Sequence, residues 1–334
     1  MFGKKALDFL AIGDITTDAF IRLEEANVHC DINREHCMLS MRFADKIPYE
    51  FVEVVRAVGN APNAAVSAAR LGLKTGLVTN LGDDENGREC LAELKKEGVD
   101  ASLSTIHKGA KTNYHYVLWY EDERTILIKH ELYTYRLPKI EPPPRFIYLS
   151  SFRGTDEYRA NIIGYLKAHP EVRLAFQPGK AEIALGTQKL RELYARTEIF
   201  FCNKEEAEKV LETAEASMQK LLTGVARLGP RLVVITDGPK GAYFYDGKGA
   251  YFMPPYPDPK APYERTGAGD AYASTFVGAL ALGKTPEEAL QWAGVNSMSV
   301  VQQIGAQKGL LTQKDISQFF EKRSANYCLE KLKE

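Results

Sequence analysis

Short apolar runs alternate with helical stretches along most of this chain, and that rhythm leaves few architectures open. Residues 7–12 form a nearly continuous apolar run ending in Gly13-Asp14, the pattern of a strand buried on both faces. Residues 59–71 then read as a turn and an alanine-rich helix, with Pro62 tolerable in the first turn and Gly72 at the close. Strand 76–81 and helix 86–97 follow, the helix stopped by Gly98. The alternation continues through strand 146–150, helix 156–168, strand 172–176, helix 187–195, strand 198–202, helices 204–212 and 215–228, and strand 231–236. Such a sequence predicts a mostly parallel sheet with helices on both sides, a three-layer α/β/α sandwich.

Two stretches depart from the rhythm. Residues 15–56 carry alternating segments, among them 20–23 and 38–43, without a helical pattern. Residues 112–130 read as a hairpin in which Tyr114, Tyr116 and Leu118 alternate, residues 121–123 turn, and 125–129 return. Both add strands outside the main sheet, and a small β-lid over one edge of the α/β body accounts for them. The expected organisation is one domain over residues 1–334 with lid strands from about 15–56 and 112–130.

Charge and cysteine usage narrow the function classes. Lys and Arg total 43 against 44 Asp and Glu, a formal charge of −1, so no nucleic acid is gripped by bulk electrostatics. No apolar run approaches the length of a membrane span, and the first ten residues lack a signal-peptide layout. The five cysteines are odd in number and scattered, which fits a reduced, cytoplasmic setting. His29, Cys30, His36 and Cys37 offer four zinc-type ligands, but their spacing matches no usual zinc module and reads as a β-rich segment.

Chemistry enters at Thr266-Gly267-Ala268-Gly269-Asp270, where a glycine turn opens a small-residue helix running to Gly283. Such a turn aims unpaired backbone N–H groups at one point, where an anion can sit. Asp270 falls in the first turn beside that anion. It is either a simple partner of the helix dipole or a base that takes a proton from whatever attacks a bound phosphate. Two other nucleotide-binding patterns fail: there is no Gly-x-x-x-x-Gly-Lys-Ser/Thr loop, and Tyr272 with the proline-rich 254–262 excludes the dinucleotide fingerprint. Upstream, Asn203-Lys204-Glu205-Glu206 follows an apolar strand and reads first as a capping box. Thr236-Asp237-Gly238-Pro239-Lys240-Gly241 is a strand running into a glycine turn, able to admit a nucleotide or merely to join two strands.

Taken in order, these segments resemble the ribokinase-like family, also called the PfkB carbohydrate kinases. Residues 266–270 look like its carboxyl-terminal signature, Asn203 with Glu206 like its magnesium-associated Asn-x-x-Glu, and Thr236, Gly238 and Gly241 like its nucleotide loop. Residues 59–63 resemble its amino-terminal signature, and Asp18 its sugar-binding aspartate. Val58 stands where that signature usually has its first glycine, and Glu264 and Arg265 replace the usual Asp and Thr before the later one.

The resemblance implies an ATP-dependent phosphotransferase acting on a sugar hydroxyl, with a nucleoside kinase, a silent nucleotide-binding homologue and, last, a dehydrogenase as alternatives. Asp270 would be the base, with the amides of Gly267, Ala268, Gly269 and Asp270 as the anion hole. Asp14, Asp18, Gly59, Asn60 and Asn63 would bind the acceptor; Asn203, Thr236, Gly238, Gly241, Thr266 and Asn296 the nucleotide. Glu206 and Asn203 would hold Mg²⁺ through water, and Glu264 a monovalent cation, K⁺. Arg153 offers a contact to an acidic acceptor, Lys180 a reach to phosphate, and Tyr114, Tyr116 and Trp119 either a stacking surface for a base or cross-strand packing. A homodimer through the lid is the implied assembly, with no nucleic-acid or membrane partner.

Overall fold

Six strands lie parallel in the spatial order 75–78, 9–12, 146–149, 173–176, 199–203 and 232–236. Three antiparallel strands, 242–245, 250–253 and 330–331, complete a nine-stranded sheet. The computed structural model describes residues 6–30, 37–121, 123–214 and 217–332. Phe9–Ile12 is buried along its whole length, as its unbroken apolar character requires. Helices Asn60–Arg70, Ala268–Ala281 and Pro286–Val300 build one core against the sheet. Helices Asp156–Ala168, Arg191–Arg196, Lys204–Val210 and Met218–Arg227 build the other. The three-layer sandwich is therefore present. Among the described residues no helix is long and apolar enough to cross a membrane.

Local chemistry explains where the elements differ from the sequence reading. The strand expected over 76–81 splits into Thr75–Val78 in the main sheet and Asn80–Gly82, which pairs with Thr105–His107. In place of the helix expected over 187–195 the chain has Lys180–Leu185, which the sequence reading did not foresee and which ends where Gly186 turns at a φ of 80°, and then Arg191–Arg196, which covers only part of the expected span. Glu182 anchors the first of these, accepting hydrogen bonds from the N–H groups of Gly179 at 2.9 Å and Phe152 at 3.2 Å.

A smaller four-stranded sheet stands apart, in the order 123–127, 114–120, 16–23 and 49–58. Side-chain alternation divides its faces. Ala19 pairs with Val54 and Tyr116, and Tyr116 with Leu127, so one row presents exposed Val54, Tyr116 and Leu127. Phe20 pairs with Val117, and Val117 with Ile126, and this register places Asp18, Phe20, His115, Arg124 and Ile126 over the sandwich. Trp119 is buried on a different contact, edge-on to Phe51 and Tyr263 with the Arg22 guanidinium over its ring.

The cysteine reading needs correction. Cys30 and Cys37 are joined in a disulfide at the loop end of the hairpin Asn27–His29/Met38–Ser40, next to the His29–Met38 pair, so they are not the free thiols the scattered count suggested. Cys90, Cys202 and Cys328 are free. Among the described residues no group of three or more His, Cys, Asp or Glu side chains gathers as a metal site; His36 lies outside them.

Candidate active site

The carboxyl ends of the parallel strands open into one cleft of about 1070 Å³, roofed by the small sheet. Asp14, Arg153, Gln177, Asn203 and Thr236 follow successive strands onto its floor, where open α/β sheets receive ligands. Gly59, Asn60 and Asn63 line it from the start of helix 60–70, and Thr266, Gly267, Gly269 and Asp270 from the start of helix 268–281. A second cavity of about 390 Å³ adjoins it, lined by Thr236, Gly238, Gly241, Ala268 and Gly269 together with Pro254, Tyr256, Ser297 and Met298.

Asp270 is where the halves of the chain meet. Its carboxylate accepts hydrogen bonds from Asn60 Nδ2 at 2.7 Å, Asn63 Nδ2 at 2.8 Å and Gln177 Nε2 at 3.3 Å. Two of these amides are themselves oriented. Asn63 Oδ1 accepts from Gln307 Nε2 at 3.0 Å, and Gln177 Oε1 accepts from the Tyr148 hydroxyl. An amide whose oxygen is engaged must point its N–H₂ the other way, here at Asp270. No lysine or arginine pairs with this carboxylate among the described residues, and burial pushes its pKa up against the pull of the three amides. The arrangement holds a carboxylate still without neutralising it, as a proton acceptor needs.

Gly267 enters the helix at a φ of 80°, in the left-handed region that favours glycine. A Cβ there would lie 2.2 Å from Ala306 Cβ, so the turn is locked to residue 306. A Cβ on Gly269 would meet nothing within 4 Å, because that position faces the cleft. The Ala268 amide makes only a long contact to Arg265 O at 3.5 Å, and the other amides of this first turn have no partner four residues back, as an anion site at a helix start requires.

Asn203 and Glu206 do form a capping box, Glu206 N donating to Asn203 Oδ1 at 2.8 Å and Asn203 N to Glu206 Oε2 at 2.9 Å. Both also line the cleft. Burial first, and then the charge of Asp270, raise the Glu206 pKa, so two carboxylates repel across the floor. A divalent cation between them would relieve that repulsion, and the residues present fit one.

Asp14 accepts hydrogen bonds from the Tyr135 hydroxyl at 2.7 Å and the Arg153 N–H at 3.1 Å; burial still pushes its pKa up to about 6. Asp18 lies 3.3 Å from His115 Nδ1. Glu264 is almost wholly buried and accepts from Thr266 N at 2.7 Å, the Thr266 hydroxyl and Gly305 N at 3.3 Å. Arg124 reaches it from the small sheet, Nη1 to Oε1 at 3.6 Å.

Some expected residues stand elsewhere. Asn296 is wholly buried, its Nδ2 donating to Thr275 Oγ1 at 2.7 Å and its Oδ1 accepting from Leu311 N at 2.9 Å. It ties two helices together and lines neither cavity; its neighbours Ser297 and Met298 do. Tyr114, Tyr116 and Trp119 also lie outside the cleft lining, Tyr114 and Tyr116 against each other at 5.2 Å. Sequence reasoning missed Gln307, Tyr148, Arg124, His115 and His130. Gln307 bears on Asn63 across 244 positions, and no local pattern announces such a pair.

This geometry defines a phosphotransferase-type site: an amide turn for an anion, a held carboxylate, and adjoining nucleotide-sized and acceptor-sized spaces. The model of the pfkB family of carbohydrate kinases matches residues 25–313, and the chain belongs to that family. It is an ATP-dependent kinase of that family. It is 26% identical over 286 residues to 5-dehydro-2-deoxygluconokinase of Bacillus subtilis, covering 80% of this chain and 87% of that protein. It is 30% identical over 237 residues to cytidine kinase of Thermococcus kodakarensis, covering 70% and 83%. Arabidopsis thaliana ribokinase, solved with ribose and ATP, shares the fold with a TM-score of 0.75 at 19% identity, over 95% of this chain and 99% of that one.

If Asp270 serves as the base it works ionised, and turnover is then expected to fall as pH drops through its raised pKa. Asn63→Ala removes a hydrogen bond that lowers that pKa, so the acid limb of the kcat profile is expected at higher pH than in the parent. A limb that stays in place, or moves down, contradicts the role given to Asn63.

Proposed function

We propose that the chain transfers the γ-phosphoryl group of ATP to a hydroxyl of a sugar. The observation that carries this reading is Asp270, held by Asn60, Asn63 and Gln177 at the head of the amide turn. Asp270 accepts the proton of the attacking hydroxyl, and the amides of Gly267, Ala268, Gly269 and Asp270 receive the charge that moves onto the phosphoryl oxygens. Thr236, Gly238, Gly241 and the walls around Tyr256 and Met298 hold the nucleotide. Asn203 and Glu206 would hold Mg²⁺, which when bound would offset charge on the phosphates. Asp14, Asp18, Asn60 and Asn63 face the acceptor, whose hydroxyls each need a partner when desolvated. A sugar is preferred to a nucleoside because Tyr114, Tyr116 and Trp119, the residues that would stack on a base, lie outside the cleft lining.

A coupled ADP-release assay over sugars, sugar derivatives and nucleosides tests the reading; nucleosides as the sole acceptors would replace it. A reaction that consumes ATP belongs in the cytoplasm. Exposed Tyr49, Val52, Val54, Tyr116 and Leu127 on the outer face of the small sheet offer the surface for a homodimer, which light scattering will show as twice the chain mass.

We infer that Arg124, rather than a monovalent cation, serves as the counter-charge of Glu264. Glu264 already has three N–H or O–H donors and a guanidinium 3.6 Å away, so its charge is balanced within the chain. Replacing K⁺ by choline is expected to leave turnover unchanged. Strong activation by K⁺ would show that Arg124 does not serve as the counter-charge.

A further inference from the structure

The acceptor end of the cleft holds more hydrogen-bond donors than the fold uses. Arg153 engages Asp14 through its backbone N–H, while its guanidinium has neither hydrogen bond nor ion pair among the described residues. His115 Nε2 and His130 Nδ1 are buried without a partner, and the two rings meet edge to face at 5.3 Å. All three side chains line the cleft beside Asp14 and Asp18. Arg124 adds a fourth donor: its Nε is buried and unpartnered even though its Nη1 faces Glu264.

The nearby carboxylates do not absorb these groups. Asp14 is engaged by Tyr135 and by the Arg153 backbone. Asp18 sits against the other nitrogen of His115. The local field is positive where the rings face each other. Burial first, then the charges of Arg153 and His115, push His130 down to about 4. A neutral polyol can satisfy such donors only singly through its hydroxyl oxygens, whereas a carboxylate or phosphate accepts from guanidinium and imidazole together.

We propose that the acceptor carries an anionic group, a carboxylate or a phosphate, in addition to the hydroxyl that is phosphorylated, and that Arg153 binds it with His130 and His115 alongside. This rests on the kinase reading above and narrows its substrate class. A charge-assisted contact of this kind is expected to give about 10–100-fold in kcat/KM over the neutral counterpart.

The test measures ADP release with purified full-length protein on pentoses and hexoses, their aldonic and ketoaldonic acids, and their phosphates. The acid and phosphate arms separate the two anion types. The best acceptor is expected to be an anion. Arg153→Met should lower its kcat/KM by about 10–100-fold, mainly through KM, with partial recovery in Arg153→Lys. Arg153 is exposed, so both variants keep the fold, and a melting curve checks it. A neutral sugar or nucleoside as best acceptor, or an unchanged preference in Arg153→Met, overturns the inference. If no compound releases ADP, the kinase reading fails. The anion site is then judged by thermal shift with the same acids and phosphates, an Arg153-dependent rise supporting it and none overturning it.

Discussion

Asp270→Asn is expected to lower kcat by about 10²–10⁴-fold while leaving the protein folded. The substitution keeps volume and shape but removes the proton acceptor. It also presents an N–H₂ to neighbours that are all donors. Asn63 and Gln177 cannot turn to meet it, because Gln307 and Tyr148 fix their amides. Asn60 has no second hydrogen bond among the described residues and is the one that can flip. Stability moves the other way from activity. A buried carboxylate with a raised pKa adds stability below its unfolded value and loses that contribution as pH rises through the folded pKa. The variant should therefore gain on the parent in melting temperature as pH is raised. Steady-state kinetics beside a thermal melt reads both, and near-parental turnover would remove Asp270 from the role of base.

Gly267 and Gly269 should separate support of the amide turn from contact with phosphate. Gly267→Ala puts a methyl where Ala306 already stands and forces a non-glycine residue to a φ of 80°, which alone costs about 1–2 kcal/mol. Both melting temperature and activity are expected to fall. Gly269→Ala adds the same methyl into open cleft at an ordinary backbone angle. Helix propensity favours alanine there by about 1 kcal/mol, so the variant should melt no lower than the parent. Its methyl nevertheless occupies space beside the amides that would receive the γ-phosphate, and activity is expected to drop by more than about tenfold, in line with loss of one oxyanion-hole donor. Stable and fully active Gly269→Ala would mean that the transferring group does not sit at this turn.

The parallel sheet was legible in the sequence because buried strands leave unbroken apolar runs, as Phe9–Ile12 and Leu232–Thr236 show. The amide turn was legible because glycines, a carboxylate and a small-residue helix stand side by side at 267–281. What holds Asp270 was only partly so. Asn60 and Asn63 lie in a recognisable segment, whereas Gln177 and Gln307 gain their meaning from neighbours 93 and 244 positions away. Asn296 shows the reverse error, since a polar residue on a helix that borders the second cavity turned inward to join Thr275 and Leu311. The alternation in 112–130 gave the hairpin but not which face Arg124 and His130 would share, because that depends on pairing with strand 16–23.

Arg124 leaves the small sheet to meet Glu264, and Glu264 in turn holds Thr266, one residue before the amide turn begins. A tilt of the roof is thereby felt at the phosphate end of the cleft. Ordering either end lowers the entropy lost in ordering the other. Nucleotide and acceptor should then strengthen each other's binding, and thermodynamic reciprocity requires the same factor in both directions.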